Sequence, residues 1–445
     1  MKKTILPILS AGILFLNTAV PVFAEVKQDE VVPYLTELID YIEKNYVGEI
    51  DSQKLIEAAM KGITSTLDEY SVYYTADEYS AYARNTARTI YTVEFGFDMN
   101  RNGEFHIVEF ENGQVRNDDG LRVRDRINSV NGVSTQGLSL SEMKGLLITT
   151  NSAPLNLNVT RGDRTLDIKA KVYPVEVKTI SYGSYASYIG LEDENVDKSV
   201  GYIKIDTFGD GTADEFRSAI AALRREKKTK LILDLRGNTG GYVDQAISIC
   251  NLIVPSGTII TTKDKAGELQ TYKSTLTEVP FKKTVVLVDD MTASASEIIA
   301  SALQDSGAGV IVGEQTFGKG VMQSVVEFGD VGTLRLTMFE YFTRNGRKID
   351  GVGIKPDYEV EDILFVQEGD KPSSKRLRDA LIYLGYSVNT ENDIIKSIGK
   401  FQISEGLDAT YKLNPETVSK LNLRIFEKQK KIDEVLMQGY LICLR

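Results

Sequence analysis

The spacing of apolar positions changes character along the chain. From Val31 to about Ala87 they return at helical intervals: Leu35, Leu38, Ile39 and Ile42, then Leu55, Ala58, Ala59 and Ile63 after a break at Gly48 to Ser52. Residues three and four apart share a helix face, so this stretch predicts helices whose stripes serve as core or as a dimer contact. Tyr70, Tyr73, Tyr74, Tyr79 and Tyr82 gather near its end and read as a half-buried amphipathic surface. Between about Tyr91 and Val177 the period falls to two. TVEFGFDM, EFHIVEF, DRINSVNGV and LNLNVTRGDRTLDIKAKV are predicted strands between Gly, Asn and Asp turns, and LSLSEMKGLLI a short helix.

From about Val200 strands and helices alternate. GYIKIDTF is a strand and ADEFRSAIAALRREKK an amphipathic helix, while KLILDLRGN is too uniformly apolar for a half-exposed strand. It runs into Asn238-Thr239-Gly240-Gly241 and a helix carrying Ala246, Ile249, Cys250 and Ile253. TVVLVDD leads into MTASASEIIASALQD, with the helix expected over Glu297 to Gln304, and GVIVGEQ leads into TFGKGVMQ. Buried strands that end in small-residue turns at helix starts are where α/β proteins place reactive groups. A last change, at Ser373 to about Leu423, gives LRDALIYLGYSV, IIKSIGKFQISEGL and LNPETVSKLNL, a helical texture; the tail after Phe426 receives no role.

Composition narrows the chemistry. The 445 residues predict several domains, and 42% hydrophobic with 26% charged residues describes a soluble globular chain. A net charge of -11 opposes general binding to phosphate backbones, so no nucleic-acid partner is expected. His106 is the sole histidine, which excludes multi-histidine zinc sites and leaves any Ser-His-Asp triad dependent on that residue. Cys250 and Cys443 allow one bridge at most. Lys2 and Lys3, the apolar run from Ile5 to about Leu16, and the small-residue spacing of Val22 and Ala24 predict a signal peptide over 1–24. Export places the chain where nucleotide cofactors are scarce, and no cofactor or metal is expected.

Candidate chemistry collects in the α/β region. Ser294 precedes a helix whose exposed N–H groups and dipole can stabilise developing negative charge, and Ala293 and Ala295 beside it let a substrate backbone come close. Lys319 follows 25 residues later in Gly318-Lys319-Gly320. A neutral lysine can take the proton from a serine hydroxyl if burial lowers its pKa from about 10.4 to about 7 to 8. Gln323 reaches that amine if the backbone between them is helical. Each residue also has a plainer reading. Ser294 and Ser296 with Glu297 make a helix start, Lys319 an exposed turn charge and Gln323 a surface amide; Gly240 and Gly241 either permit a tight turn or free an N–H for an oxyanion.

Taken together, these residues resemble the carboxy-terminal (tail-specific) processing peptidases, exported serine proteases with a Ser-Lys pair and an inserted PDZ domain. The match lies in T-A-S-A-S-E-I at Thr292 to Ile298, G-E-x-T-F-G-K-G-x-x-Q at Gly313 to Gln323, D-L-R-x-N-x-G-G at Asp234 to Gly241 and G-x-G-I-x-P-D at Gly351 to Asp357. Carried over, the resemblance implies Ser294 as nucleophile, Lys319 as general base, Gln323 orienting the lysine, and an oxyanion hole from the N–H groups of Ala295 and of Gly240 or Gly241. Asp289, Met291, Thr239 and Arg344-Asn345 depart from the usual residues at the rim of the site. The strand-rich region resembles a PDZ domain, with Phe95-Gly96-Phe97 where such domains bind a peptide's terminal carboxylate in a loop. Asp119-Gly120-Leu121 to Asp125-Arg126-Ile127 and Val130-Asn131-Gly132 follow the family's order, with Asp119 for the usual Ala and Arg124 for the usual Gly. The C-terminal helices are similar to peptidoglycan-binding-like modules at Leu381, Leu384, Gly385, Tyr386, Phe401, Gln402, Gly406, Leu407, Thr417 and Leu421.

The expected architecture is therefore multidomain α/β: N-terminal helices over 25–90, a PDZ β-barrel over 91–177 inserted ahead of a crotonase- and ClpP-like βα protease core over 178–365, a helical module over 373–425 and a tail over 426–445. The expected activity is that of an extracytoplasmic serine endopeptidase, secreted or held at the wall or membrane, cleaving proteins bound by their C-termini. Peptidoglycan and a second copy of the chain are the other candidate partners. Two rivals stand beside it: a non-catalytic wall-associated PDZ scaffold, and an acyl-CoA enzyme of crotonase-like fold, which the leader and the lack of a recognisable CoA site disfavour.

Overall fold

The computed structural model describes residues 28–110, 120–188, 196–329, 331–360, 366–367, 369–429 and 433–445. The segment read as a signal peptide and Asp119 lie outside them. The chain divides after Ile63 into two compact units. The first carries helices Gln28–Asn45 and Ser52–Thr64, interrupted where Gly48 to Ser52 predicted a break. Tyr34, Leu38, Tyr41 and Ile63 stand exposed on them.

The second unit is built on a six-stranded sheet. Strands Val200–Ile205, Lys230–Asp234, Lys283–Val288, Val310–Gly313 and Tyr358–Glu359 run parallel in that order, and Ile180–Ser184 pairs antiparallel at the first edge. Successive strand side chains point to opposite faces. Here Ile203, Leu231, Leu233 and Val286 enter one apolar cluster, with helices Thr212–Arg225, Val243–Ile253 and Ala295–Asp305, while Tyr202, Ile232, Val285 and Leu287 enter another. Both faces are covered, which is why these strands are apolar throughout. Helix Glu434–Leu444 covers the second face with Val435, Leu436, Ile442 and Cys443, so the tail that carried no sequence signal is part of the core. The two cysteines are free and belong to opposite faces, Cys250 to the first cluster and Cys443 to the second, which rules out the bridge that their number allowed.

A second sheet stands beside the first: Val72–Tyr74, Thr333–Thr343, Gly257–Asp264 and Leu269–Ser274 in order, with Val321–Glu327 also paired to Thr333–Thr343. Val72–Tyr74 corrects the helical reading of 31–87; the turn at Asp68 to Ser71 stops the helical pattern, and the strand that follows binds a partner more than 250 residues away. Among the clustered tyrosines, Tyr73 is buried, whereas Tyr74 and Tyr82 stack under the Arg335 guanidinium.

Strands Thr89–Thr92 and Tyr173–Glu176 pair antiparallel, with Thr92 opposite Tyr173, and form a neck. Between them lies a separate sheet with its own core around Phe105, Ile107, Met143 and Leu157. Val130-Asn131-Gly132 turns tightly there, Asn131 and Gly132 both having positive φ as a two-residue hairpin demands. Arg124 has φ 75, a conformation that explains why glycine suits the position. Phe95-Gly96-Phe97 is not a loop: Phe95–Met99 is a strand at the open edge of this sheet, fixed by Phe95 and Phe97 packing on its core. Helices Lys375–Tyr383, Glu391–Ser404 and Pro415–Gln429 enclose Leu381, Phe401 and Leu421, and buried Gln402 bonds to Thr410, Thr417 and the Lys412 carbonyl.

Candidate active site

Strand Lys283–Val288 ends in a turn that delivers Ser294 to the first position before helix Ala295–Asp305. The helix starts two residues earlier than expected. Ser294 has φ 55 and ψ -114, a strained conformation for a side chain with a Cβ, and is 7% exposed. Ser296 Oγ and the Ala293 N–H both donate to the Asn238 carbonyl, and Thr292 Oγ1 donates to the Leu235 carbonyl, so the turn is clamped on both sides of the serine.

Glu297 does more than cap the helix. Its buried carboxylate accepts from the N–H groups of Ser294 (2.8 Å), Gly318 (2.8 Å) and Lys319 (2.9 Å) and from Thr316 Oγ1. Burial raises its pKa and these four donors pull it down, with burial the larger effect. Tyr341, also buried, directs its hydroxyl at the carbonyls of Lys319 (2.6 Å) and Ser294 (3.2 Å). One acid and one phenol thus tie together the backbones of the two residues. Gly318 and Gly320 let this happen: a Cβ at Gly320 would lie 2.2 Å from the Asp350 nitrogen.

The Lys319 amine donates to Gln323 Oε1 at 2.9 Å and lies 4.6 Å from the centre of the Tyr70 ring. Its pKa is lowered to about 8, first by desolvation and next by Arg335, against the opposing pull of Asp68, Glu69 and Glu297. No hydrogen bond joins it to Ser294 among the described residues. Gln323 reaches the lysine without a helix. Val321–Glu327 is a strand, and an irregularity in its pairing between Met322 and Gln323 shifts the register there.

The loop after Lys230–Asp234 comes up against Ser294. Asn238 Nδ2 donates to the Ile205 carbonyl, and its Oδ1 accepts from the Gly240 N–H at 2.9 Å. That removes Gly240 as an oxyanion donor. The N–H groups of Gly241 and Ala295 have no protein acceptor among the described residues. Gly240 instead supplies closeness, since a Cβ on it would stand 3.0 Å from Ser294 Cβ and 3.2 Å from the Ala295 nitrogen. His106 sits in the inserted sheet, 3.2 Å from Asn100 Nδ2 and outside this constellation. Phe95, Gly96 and Phe97 likewise belong to the inserted sheet rather than to the cluster around Ser294.

The model of peptidase family S41 matches residues 199–360, which hold the parallel sheet, Ser294 and Lys319. The carboxy-terminal processing protease CtpA of Bacillus subtilis (strain 168) is 30% identical over 421 residues, spanning 90% of this chain and 87% of its own. The chain belongs to peptidase family S41. It is a serine-type peptidase of the carboxy-terminal processing group. A probable CtpA-like serine protease of Staphylococcus aureus (strain N315) is 29% identical over 89% of this chain and 81% of its own. Among solved structures, the photosystem II D1 C-terminal processing protease aligns with a TM-score of 0.44 and 24% identity, over 77% of this chain and 96% of that one.

The cluster around Lys319 contains residues that the sequence motifs passed over. Asp68, Tyr70 and Thr337 border Lys319 and Gln323 from segments that carried no chemical signal, and Tyr341 lies in a strand that was not foreseen. The one available clue was Glu297, three residues after Ser294, which reads as an ordinary helix start until the Lys319 turn is placed against it.

Proposed function

We propose that this chain is an exported endopeptidase that cuts protein substrates near their C-termini, with Ser294 as nucleophile and Lys319 as general base. The carrying observation is a lysine amine with its pKa lowered to about 8, on a turn braced to the nucleophile's backbone by Glu297. Neutral Lys319 takes the proton from Ser294 Oγ as that oxygen attacks the scissile carbonyl. The carbonyl oxygen gains the electron pair and is received by the N–H groups of Gly241 and Ala295 at the helix start. Collapse breaks the C–N bond, and the leaving amine takes the proton from Lys319. Water, deprotonated by the same lysine, attacks the ester and frees Ser294. Since the amine is hydrogen-bonded to Gln323 in the structure, the first step requires it to approach Ser294 Oγ, as resting active sites commonly require.

Residues 91–177 are read as a PDZ domain that adds the substrate's C-terminal strand to the open edge at Phe95–Met99, in keeping with strand-addition recognition. The helical module at 373–425 is read as peptidoglycan-binding-like, and 1–24 as the leader of an extracytoplasmic protein. A second copy of the chain is the proposed partner for the exposed apolar residues of the N-terminal helices.

The decisive assay follows cleavage of an unstructured peptide with a free C-terminus by the full chain. Ser294→Ala and Lys319→Ala are each expected to lower kcat by at least about a thousandfold, and a fluorophosphonate should label the parent but not Ser294→Ala. Retention of activity within about tenfold by Lys319→Ala would remove the lysine from the mechanism.

A further inference from the structure

Gln323 does not end the series of hydrogen bonds that starts at Lys319. Its Nε2 donates to Thr337 Oγ1 (3.0 Å), which donates to Asp68 Oδ1 (3.2 Å). The same carboxylate oxygen accepts from the N–H groups of Tyr70 (2.9 Å) and Ser71 (2.8 Å). Three distant stretches of sequence meet here for definite reasons. Gln323 and Thr337 are cross-strand partners immediately after the irregularity at Met322. Asp68 opens the turn before Val72–Tyr74, which pairs with the strand that carries Thr337, and Ser71 Oγ accepts from the Thr337 N–H (3.1 Å).

The order of donors in this series has only one consistent direction. An ionised carboxylate accepts and cannot donate, so Thr337 directs its single proton at Asp68. The Thr337 oxygen is then left to accept, Gln323 must offer it Nε2, and Oε1 faces the lysine. Without the acid, the hydroxyl is free to rotate and donate to Oε1, and the amide can turn over. Nε2 would then meet the lysine amine and donate to the lone pair that has to take the serine proton.

We propose that Asp68, acting through Thr337, is a positioning residue that holds the Gln323 amide with Oε1 towards Lys319. This rests on the reading of Lys319 as the general base. Asp68 is ionised at working pH: partial desolvation raises its pKa, and the bonds from Thr337, Ser71 and Tyr70 together outweigh it. The other charged or titratable groups facing the amine are Arg335, Glu69, Glu297 and Tyr70, whose phenol is pushed up to about 12 and stays protonated.

The test compares Asp68→Ala, Thr337→Val, the double variant and Thr337→Ser in the full chain, measuring kcat and KM of peptide cleavage across the rising limb of the pH profile. Asp68→Ala and Thr337→Val should each lower the plateau kcat roughly tenfold with KM within about twofold, the size expected when a general base is misaligned rather than lost. The double variant should be no slower than the singles, because both break one series. Thr337→Ser should restore parental kcat, and Asp68→Ala should also move the rising limb to lower pH, because a charge that favours the ammonium has gone. Unchanged kcat in both singles, losses that multiply in the double variant, or losses confined to KM would overturn the proposal. If Asp68→Ala fails to fold, the Thr337 pair decides alone. Lys319→Ala separates the two levels: activity there defeats the base assignment, whereas an inactive Lys319→Ala beside fully active Asp68→Ala and Thr337→Val defeats only the positioning role.

Discussion

A lysine that must be neutral, as the proposed general base must be, is a burden on the fold around it. Below a pH of about 8 Lys319 is protonated in the folded and unfolded chains alike, and the folded state bears the full cost of holding an ammonium away from water. Between about 8 and the ordinary lysine value of 10.5 the unfolded chain keeps a proton that the folded chain has released, so stability rises with pH across that window. Turnover should rise in the same direction, through about pH 8 to a plateau. Lys319→Met is therefore expected to lose activity, and its melting temperature relative to the parent should be more favourable near pH 6 than near pH 10. Equal differences at both pH values would mean that the amine is not desolvated. Gly240 gives a second residue-scale expectation. Its φ of 105 and the 3.0 Å that a Cβ would leave to Ser294 Cβ predict that Gly240→Ala displaces Ser294, the proposed nucleophile, lowering kcat far more than KM. Ser294 and Lys319 were legible in sequence as candidates because the motif around each is local. The role of Glu297 was not, because capping a helix and bridging to a turn 21 residues away need the same side chain in the same place.

At the scale of elements, legibility followed burial. Strands such as Lys230–Asp234 and Lys283–Val288 are apolar on both faces and announce themselves. Val72–Tyr74 is too short to show a period, and Thr333–Thr343 mixes half-buried positions along its length, so the sheet that backs Lys319 was not read. A helical backbone was the one route by which the sequence let Gln323 meet Lys319, because i and i+4 meet there; a strand with a register irregularity reaches the same contact by another route. The inserted sheet offers a direct trial of modularity. Thr92 and Tyr173 are cross-strand partners in the neck, so Asn-Gly in place of residues 93–172 would close a two-residue hairpin. Because the inserted sheet has a core of its own, the remainder is expected to fold. If the insert binds the substrate's C-terminus as proposed, the parent should prefer a free over an amidated C-terminus and the shortened chain should not. Its turnover of a short peptide reports on gating, and an unchanged rate would show that the insert does not restrain the site.

At the scale of the molecule, the last thirteen residues hold the protease sheet together from the far side. Asp433 caps the final helix through the Leu436 N–H and meets Arg236 with both oxygens, at 2.9 and 2.8 Å, while Arg236 also grips Asp234 at the end of its strand. That arginine lies in the loop that continues to Asn238 and Gly241, so the helix is joined mechanically to the loop proposed to receive the oxyanion. The Tyr440 ring stacks on Tyr185 at 4.1 Å, and a Cβ on Gly439 would come within 2.7 Å of Leu287, which shows how closely the helix is seated. Val435, Leu436 and Ile442 are nearly fully buried, and at about 1.5 to 3 kcal/mol each their loss amounts to on the order of 5 kcal/mol. Removing 433–445 should consequently lower the melting temperature steeply, expose an apolar dye-binding face and reduce kcat. Asp433→Asn, which keeps the helix cap and loses the charge, should cost only about 1 to 3 kcal/mol. A truncated chain that melts with the parent would mean that the sheet does not depend on this helix, and the coupling drawn from Asp433 to the loop at Asn238 to Gly241 would fall with it.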